Sequence, residues 1–388
     1  MVEVVISGVG MSQVGRRLER TGLGLTIDAA MEALADAGLA PGDIDGLSTF
    51  PGYAAQFPGF GPVGCLRLKD ALGLKLDWWS GGIERPGQIG ALIDAMTAIK
   101  AGLVRHVLCF RTVKEGTMGA THQAPGKQAG RPRVSGDGQW QSPYAGPSYV
   151  GYFAMQAQRH FELYGTTREQ LGQIAVVSRR NAALNPKAVY TAPMSLDDYL
   201  AARMISSPLG LFDCDAPVDA ATVLILSSAE AAKDLRSRPI RIASVGCSVH
   251  GAGNWDNVEL GADSPWDSAR RMWQHTDLKP ADIDIGLLYD GFSFISLVWL
   301  EALGICGLGE AGAFLEGGHN ISRDGAFPIN PHGGQLSAGR THGFGFAHEA
   351  VLQLRGEAGA RQVQKDMAVA AVTMSGGPMA GCMLLVKD

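Results

Sequence analysis

The residues best suited to chemistry lie in one glycine-rich stretch, residues 330–345, with the sequence NPHGGQLSAGRTHGFG. Five glycines, two histidines and one arginine fall within these sixteen residues, just before a run with helical spacing at 348–354. Glycine lets backbone N–H groups approach a ligand closely, and a helix N-terminus adds unpaired donors and partial positive charge. The stretch therefore predicts a site for an anionic or enolate-like oxygen, in preference to simple tight turns.

Four side chains are candidate catalytic residues. His332 adjoins a Gly-Gly pair, which favours a site, whereas the context of His342 supports site and core equally. Tyr289 ends an apolar, strand-like segment, where its hydroxyl suits either a site or a satisfied core position. Arg340 supplies a permanent cation within the glycine-rich stretch. The glycines predicted to line the substrate are Gly333, Gly334 and Gly343.

The composition limits the possible functions. With 388 residues, 46% of them hydrophobic, the chain has room for two domains of ordinary size. A net charge of −5 without a basic run argues against nucleic acid as a partner. The six cysteines form no CxxC pair and no Cys/His pattern at zinc spacing, which predicts reduced thiols in a cytoplasmic protein and no structural metal. The sequence contains no apolar run of about 18 residues, so we predict no membrane-spanning helix.

The elements that must position these residues occur twice. Residues 39–45, LAPGDID, recur as LKPADID at 278–284, and both lead into a strand-like segment. Upstream, residues 8–12 match residues 244–248 at nearly the same offset. Each copy predicts a strand, a helix, a turn and a second strand that is parallel to the first through a right-handed crossover. Matching order and offset make chance similarity the weaker explanation, so we predict a duplicated α/β chain with halves 1–235 and 236–388.

The first half carries an additional block, residues 112–206. Its opening, 114–147, is rich in Gly, Pro, Gln and Arg and predicts a long loop that covers a site or a dimer contact. The glycine turn at 80–82 and the stretch at 330–345 should face one another across a pseudo-twofold axis. The predicted helices are 24–38, 86–102, 149–163, 168–184 and 348–354, and the predicted strands are 2–9, 104–110, 220–226 and 367–374.

Several motifs resemble the thiolase superfamily, nearest to the sterol-carrier-type thiolases and their steroid side-chain aldolase relatives. The resemblance covers nearly the whole chain. Its motifs are QRHFELYGTT (158–167), NAALNPKA (181–188), SPLGLFD (207–213), YDGF (289–292) and NPHGGQLS (330–337). It implies the duplicated five-layer αβαβα thiolase fold with a loop and helix insertion in the first half. It also implies a homodimer and a tunnel for the pantetheine arm of a coenzyme A thioester.

The chain departs from the thiolase pattern at the reacting residues. The position of the nucleophilic cysteine falls on Glu84 or Arg85, which we retain as candidate substrate-binding residues, and the nearest cysteine, Cys109, lies in a predicted strand. The family's Gly-His-Pro histidine falls on Arg340, and residues 373–377 lack the second cysteine. Without a nucleophile an acyl-enzyme cannot form, which argues against thiolysis and Claisen condensation.

The aldolase branch fits better, since it also lacks the cysteine and has tyrosine at the position of Tyr289. The resemblance implies retro-aldol cleavage of a β-hydroxyacyl-CoA, with Tyr289 as proton relay and His332 or His342 as base or oxyanion donor. Arg340 could lower the pKa of a neighbouring tyrosine, stabilise an enolate, or instead pair with Glu84.

The resemblance also implies a small OB-fold and zinc-ribbon partner protein, and no cofactor beyond the coenzyme A carried by the substrate. Two alternatives to the lyase remain open from the sequence. One is an acyltransferase with an unrecognised nucleophile. The other is a non-catalytic subunit of a heteromeric acyl-CoA enzyme.

Overall fold

The computed structural model describes residues 2–55, 59–122, 136, 138–141, 149–250 and 260–387. Its strands are β1 (Val4–Met11), β2 (Gly46–Thr49), β3 (Trp78–Gly81), β4 (His106–Lys114), β5 (Met204–Ser206), β6 (Leu209–Gly210), β7 (Asp219–Ser228), β8 (Ile240–Val249), β9 (Ile285–Leu287), β10 (Val369–Ser375) and β11 (Met379–Val386). Its α-helices are α1 (Gly22–Ala37), α2 (Cys65–Leu72), α3 (Gly87–Lys100), α4 (Glu115–His122), α5 (Gly138–Gln141), α6 (Tyr149–Tyr164), α7 (Arg168–Ala182), α8 (Leu196–Ala201), α9 (Ala229–Ala232), α10 (Ser264–Trp273), α11 (Ser293–Ala302), α12 (Ala311–Leu315) and α13 (Gly343–Arg355).

The sheet shows the duplication directly. The amino-terminal half-sheet has the order β3-β2-β4-β7-β1, and the carboxy-terminal half-sheet continues it as β8-β11-β10-β9. In each half-sheet, the two strands next to the junction of the halves are antiparallel to their neighbours. The outer strands of each half-sheet are parallel to one another. Ile329 bridges Gly286 in parallel and so takes the place of β3 in the second half. The antiparallel contact of β1 with β8 joins the two half-sheets.

The repeated LxPxDID turn has the same hydrogen bonds in both copies. Asp43 and Asp282 each accept the backbone N–H of the residue three positions earlier, at 2.8 and 2.7 Å. Asp45 and Asp284 each accept backbone N–H groups at the start of the neighbouring strand, β4 and β10 respectively. The motif recurs because, in each copy, it ends the helical connection and fixes where two neighbouring strands begin.

The layers follow from the burial of the helices. Helices α3 and α13 are buried between the half-sheets, and residues such as Ile89 and Phe346 share one core with strands of both. Helix α1 covers the outer face of the amino-terminal half-sheet. Helices α10 and α11 cover the outer face of the other half-sheet, joined there by α6 and α7 of the inserted block. The predicted five-layer αβαβα arrangement is confirmed, while the exact boundary between residues 235 and 236 stays a prediction.

Two element predictions need correction. Helix α13 begins at Gly343, five residues earlier than predicted. Its first turn contains glycines, which lower helix propensity, and packing requires them because a Cβ on Gly343 would lie 2.4 Å from Met374. The predicted loop at 114–147 instead begins with α4, anchored by a 3.0 Å ion pair between Lys114 and the buried Asp219. Much of the remaining predicted loop lies outside the described residues.

None of the helices in the described ranges is long and apolar enough to cross a membrane.

Candidate active site

Four separate segments bring polar side chains together beside the start of α13. Tyr289 follows β9, Glu115 begins α4, and Asp215 lies in the turn before β7. The glycine-rich stretch contributes Arg340 and His342. We call these five residues the polar cluster. The structure thus unites three of the four predicted catalytic residues with two carboxylates that the sequence analysis did not select.

Tyr289, His342 and Glu115 form a continuous hydrogen-bonded chain. The Tyr289 Oη lies 3.2 Å from His342 Nδ1, and His342 Nε2 lies 3.3 Å from Glu115 Oε2. Because an ionised carboxylate can only accept, Nε2 carries the imidazole proton and Nδ1 accepts from the phenol. The His342 backbone N–H donates to Gln335 Oε1 at 3.1 Å, and its φ of 60° is in the left-handed region. This strained position aims the ring at Tyr289.

Arg340 joins the two carboxylates of the cluster. Its Nε lies 3.1 Å from Glu115 Oε2, and its Nη1 lies 3.1 Å from Asp215 Oδ1. Its side chain is 26% exposed, whereas those of Glu115 and Asp215 are 16% and 10% exposed. The cluster is therefore reachable from solvent through Arg340. The hypothesis that Arg340 pairs with Glu84 is wrong, since both of its carboxylate partners lie elsewhere in the chain.

The two carboxylates that share Arg340 have very different proton affinities. Burial opposes ionisation of Glu115, but the hydrogen bond from His342 and the charge of Arg340 outweigh it and lower its pKa to about 2. Burial raises the pKa of Asp215 to about 7, although Arg340 pulls it down and Glu115 adds to the rise. Near neutral pH, Glu115 is a fixed anion and Asp215 can gain or lose a proton. Two carboxyl groups with such different pKa values are suited to act as an acid–base pair.

The aromatic members of the cluster are neutral near pH 7. Burial lowers the pKa of His342 to about 4, helped by the nearby Arg111 charge. Burial, followed by the charge of Asp215, raises the pKa of Tyr289. Arg340 acts in the predicted direction on Tyr289, but it does not overcome these two effects. Tyr289 is thus a phenol that donates a hydrogen bond, and it is not an activated phenolate.

Arg111 lies behind the cluster and is 1% exposed. Its guanidinium stacks 4.4 Å above the ring of Phe60, whose edge meets the His342 ring at a centroid distance of 5.4 Å. Within the described part of the chain, its Nε and Nη2 have no hydrogen-bond partner. The buried cation therefore acts through Phe60 and through its field, which opposes protonation of His342.

His332 is not part of the cluster, which corrects the prediction for this residue. Its ring meets Phe346 at 5.3 Å, and Phe346 also contacts Tyr289 at 5.9 Å, so the two residues pack on one aromatic ring without meeting. His332 lines a separate cavity of about 700 Å³, and burial lowers its pKa to about 3. The five-residue π-helical turn Gly334–Ala338 separates it from His342 along the chain.

The three predicted substrate-binding glycines have packing roles. A Cβ on Gly333 would lie 2.5 Å from Ala182, and one on Gly334 would lie 1.9 Å from the Asp290 carboxylate. That carboxylate accepts the backbone N–H of Gln335 at 2.7 Å. The backbone N–H of Gly343 donates to a buried glutamine side chain. Close packing by protein atoms therefore explains why these three positions are glycine.

The positions that match the thiolase nucleophile hold no nucleophile. Glu84 is exposed on the surface. Arg85 pairs with Asp94 at 3.1 Å and donates to Ser80 Oγ at 2.7 Å, which ties down the glycine turn that follows β3. The predicted substrate contacts of Glu84 and Arg85 thus gain no support from the geometry.

All six cysteines are free thiols, and burial raises the pKa of each. The thiol of Cys214, one residue before Asp215, has a pKa of about 12. A thiol must ionise to act as an efficient nucleophile, so these are inert at neutral pH. Among the described residues, no group of three or more His, Cys, Asp or Glu side chains could hold a metal ion.

Glu115, Asp215 and Arg111 were not predicted as site residues from the sequence. Glu115 falls in a region without apolar periodicity, where nothing distinguishes it from surface charge. Asp215 had a stronger signal, since the turn FDCDAPVD carries three aspartates between an insertion and a buried strand. Two of these, Asp213 and Asp219, are fully buried, and their hydrogen bonds fix the turn.

Comparisons with known proteins agree with this architecture. Residues 257–386 match a family model described as thiolase C-terminal domain-like. The chain is 33% identical to the 17-hydroxy-3-oxo-4-pregnene-20-carboxyl-CoA lyase of Mycobacterium tuberculosis, covering 91% of this chain and 92% of that one. It is also 33% identical to the steroid side-chain-cleaving aldolase of Thermomonospora curvata, covering 90% of each chain.

A solved structure described as "Ltp2-ChsH2(DUF35) aldolase" superimposes with a TM-score of 0.85 at 29% identity, covering 100% of this chain and 98% of that one. The repeated half-sheets, the five layers and these full-length similarities lead to one classification. The chain belongs to the thiolase superfamily, in the branch that contains the steroid side-chain-cleaving aldolases.

Proposed function

We propose that this protein is a carbon–carbon lyase that cleaves a β-hydroxyacyl-CoA by a retro-aldol reaction, with coenzyme A entering as part of the substrate. The observation that carries the proposal is the polar cluster, where a group that titrates near neutrality lies beside a permanent cation and no ionisable thiol. A retro-aldol step needs one base and one stabilised oxyanion, and it needs no covalent intermediate. The names of the two 33% identical relatives, a lyase and an aldolase, support this reaction class.

In the proposed step, the Asp215 carboxylate accepts the proton of the substrate β-hydroxyl. The electron pair of that O–H bond forms the new C=O bond, the Cα–Cβ bond breaks, and its electron pair moves into the thioester enolate. Asp215 then returns the proton to Cα, so the carboxylate is regenerated and the products are a ketone or aldehyde and a shorter acyl-CoA. The same carboxyl serves as base and then acid, which its pKa near 7 permits.

Arg340 and Tyr289 stabilise the enolate oxygen in this scheme. When Asp215 takes up the proton, Arg340 keeps only one anionic partner, Glu115, so more of its positive charge is available to the developing oxyanion. Tyr289 remains protonated and donates its hydroxyl. In the resting site that hydroxyl donates to His342 Nδ1 at 3.2 Å, and Glu115 orients the imidazole from its other side at 3.3 Å, in the way that a carboxylate orients a catalytic histidine. Because a phenol has a single proton, the hydroxyl leaves Nδ1 when it donates to the enolate oxygen.

The alternative function is acyl transfer through an acyl-enzyme. It would need a thiolate, and the thiol that adjoins the cluster, Cys214, has its pKa raised to about 12. The intact mass of the protein after exposure to an acyl-CoA separates the two reactions. The lyase keeps its mass, whereas an acyltransferase that works through a covalent intermediate gains the mass of one acyl group.

The substrate and assembly complete the proposal. A steroid or branched acyl chain is the substrate class suggested by the names of the relatives. A small OB-fold and zinc-ribbon protein is the proposed partner, supported by the joint description of the structural neighbour with ChsH2(DUF35). The protein is proposed to act in the cytoplasm, where its six free cysteines would stay reduced.

We also propose a homodimer through the outer edge of β3, which pairs only with β2 within the described residues. Trp79 on this strand is 55% exposed, and Tyr53, which follows Gly52 beside the end of β3, is 70% exposed, although both side chains are large and largely apolar. Light scattering of the purified protein tests this: a mass near twice 40.9 kDa supports the dimer, and a monomer refutes it.

The direct test of the function is product analysis. The protein, with its partner, is incubated with 17-hydroxy-3-oxo-4-pregnene-20-carboxyl-CoA and with straight-chain and branched β-hydroxyacyl-CoA thioesters. The proposal predicts equal amounts of carbonyl product and shortened acyl-CoA from at least one of them. Binding of the thioesters without any cleavage would instead point to a non-catalytic subunit.

A further inference from the structure

A second cavity, of about 700 Å³, lies against the glycine-rich stretch on the side away from the polar cluster. Gly339, Thr341 and Gly345 line it, whereas the intervening Arg340 and His342 belong to the cluster. Alternate residues of one segment therefore serve two separate spaces. The volume is in the range of cavities that hold small metabolites, and nothing in the proposed lyase reaction uses this one.

The wall of this cavity carries imidazole and guanidinium nitrogens that have no partner among the described residues. His332 and His348 line it and are 7% and 6% exposed. Within the described ranges, the buried Nδ1 of His332 has no hydrogen-bond partner. Arg361 directs its Nε to Glu349 at 2.9 Å, which leaves its two terminal nitrogens free of partners among the described residues. A buried polar atom left without a partner, such as His332 Nδ1, is costly for a fold and is explained by a ligand.

Four carboxylates and four cations line the wall, so its formal charges balance. All four carboxylates have protein partners: Glu32 has Lys187 at 3.5 Å, Asp36 and Glu357 share Arg355 at 2.8 and 3.8 Å, and Glu349 has Arg361 at 2.9 Å. Beyond burial, every group that affects the proton affinity of His348 is cationic or another histidine, and together they hold its pKa well below the usual value. A neutral imidazole in a cationic surrounding can donate to an anion without being protonated.

We propose that this second cavity binds a small organic molecule through a phosphate or carboxylate group, which is held by Arg361, His332 and His348. Guanidinium offers two parallel donors to such a planar or tetrahedral oxyanion. The apolar remainder of the ligand lies against the aliphatic wall, which includes Val9 and Leu352. The proposal does not depend on the lyase reaction, because the cavity and the polar cluster share no side chain.

The test is titration calorimetry of the whole protein with inorganic phosphate and, separately, with acetate; the two arms show which group is preferred. Ala35→Trp blocks the cavity, because Ala35 lines it from the surface of α1 and no buried partner is lost. Met31→Trp is the matched control, since Met31 is 46% exposed on the same helix and outside the cavity. Arg361→Gln removes the guanidinium.

Wild type and Met31→Trp should bind at least one anion saturably, and Ala35→Trp and Arg361→Gln should bind it at least about tenfold more weakly, the loss expected for a charge-assisted pair. Arg361→Gln could fail to fold because Glu349 loses its partner. In that case the affinity of Ala35→Trp, which blocks the cavity, still tests the proposal. Unchanged affinity in Ala35→Trp, or no saturable binding by wild type up to about 10 mM, overturns the proposal.

Discussion

Replacing Asp215 with asparagine should raise the stability of the folded protein and lower its catalytic activity. Burial raises the pKa of Asp215 from 3.8 to about 7, a shift of about three units, and each unit corresponds to about 1.36 kcal/mol. Because the pKa is raised in the folded state, the neutral carboxyl stabilises the fold at low pH. This contribution is lost as the pH rises from about 4 through about 7. The never-ionised Asp215→Asn variant should therefore gain up to about 4 kcal/mol of unfolding free energy on wild type across that range.

Activity should move the other way. With Asp215 as the base, kcat/KM of the wild type rises with pH, has its midpoint near 7 and reaches a plateau above it. Asp215→Asn should lower the plateau by about 10²- to 10⁴-fold, the usual contribution of a general base, and should remove the midpoint. The assays are denaturant unfolding at pH 4 to 8 and initial rates of carbonyl release over the same range.

Asp263→Asn is the matched control for both assays. Burial raises the pKa of Asp263 to about 7 as well, but this residue precedes α10, on the outer face of the carboxy-terminal half-sheet. The control should show a similar change in stability with pH, while the rate and its midpoint stay at wild-type values. An Asp215→Asn variant that keeps the wild-type rate and midpoint would refute the assignment of the base.

Three further substitutions test the other members of the cluster. Tyr289→Phe should lower kcat at least about 10²-fold with little change in melting temperature, and full activity would remove Tyr289 from the mechanism. Arg340→Gln should lower kcat more than it raises KM, because the enolate charge exists only after the bond begins to break; a pure KM effect contradicts this. Arg111→Met should raise the pKa of His342, measured from its imidazole NMR signals, because a buried cation is removed; an unchanged pKa would show that burial alone sets it.

The duplicated α/β organisation was predictable because the duplication leaves repeated local signals, whereas the five layers were implied by the resemblance to the thiolase superfamily. Asp43 and Asp282 recur with the same turn chemistry, and their hydrogen bonds are local, so the pattern is visible in the chain itself. The repeat does not give the strand order, because the strands predicted to pair in parallel within each copy do not pair. Strands β7 and β4 lie between β1 and β2, and β11 and β10 lie between β8 and β9. Helix α13 was predicted too short because its glycines allow close contacts with β10 and with the preceding turn. Such tertiary contacts do not enter a local helix propensity.

The site was only partly predictable for a related reason. Arg340 and His342 are two residues apart in one glycine-rich stretch, so a single motif marks both. Glu115 lies 227 positions from His342, and the insertion that carries it has no periodicity to place it. His332 appeared equivalent to His342 because both adjoin glycines, yet the π-helical turn between them directs the two rings into different spaces.

The most direct test of the central claim is the fate of hydrogen and carbon in a single turnover in D2O. A β-hydroxyacyl-CoA substrate is mixed with excess enzyme and partner, and both products are analysed by mass spectrometry. Retro-aldol cleavage by the polar cluster predicts one carbonyl product per shortened acyl-CoA, with one deuterium on the α-carbon of that acyl-CoA. A protein that acquires the acyl group, or that transfers it to free coenzyme A without releasing a ketone or aldehyde, would contradict the account.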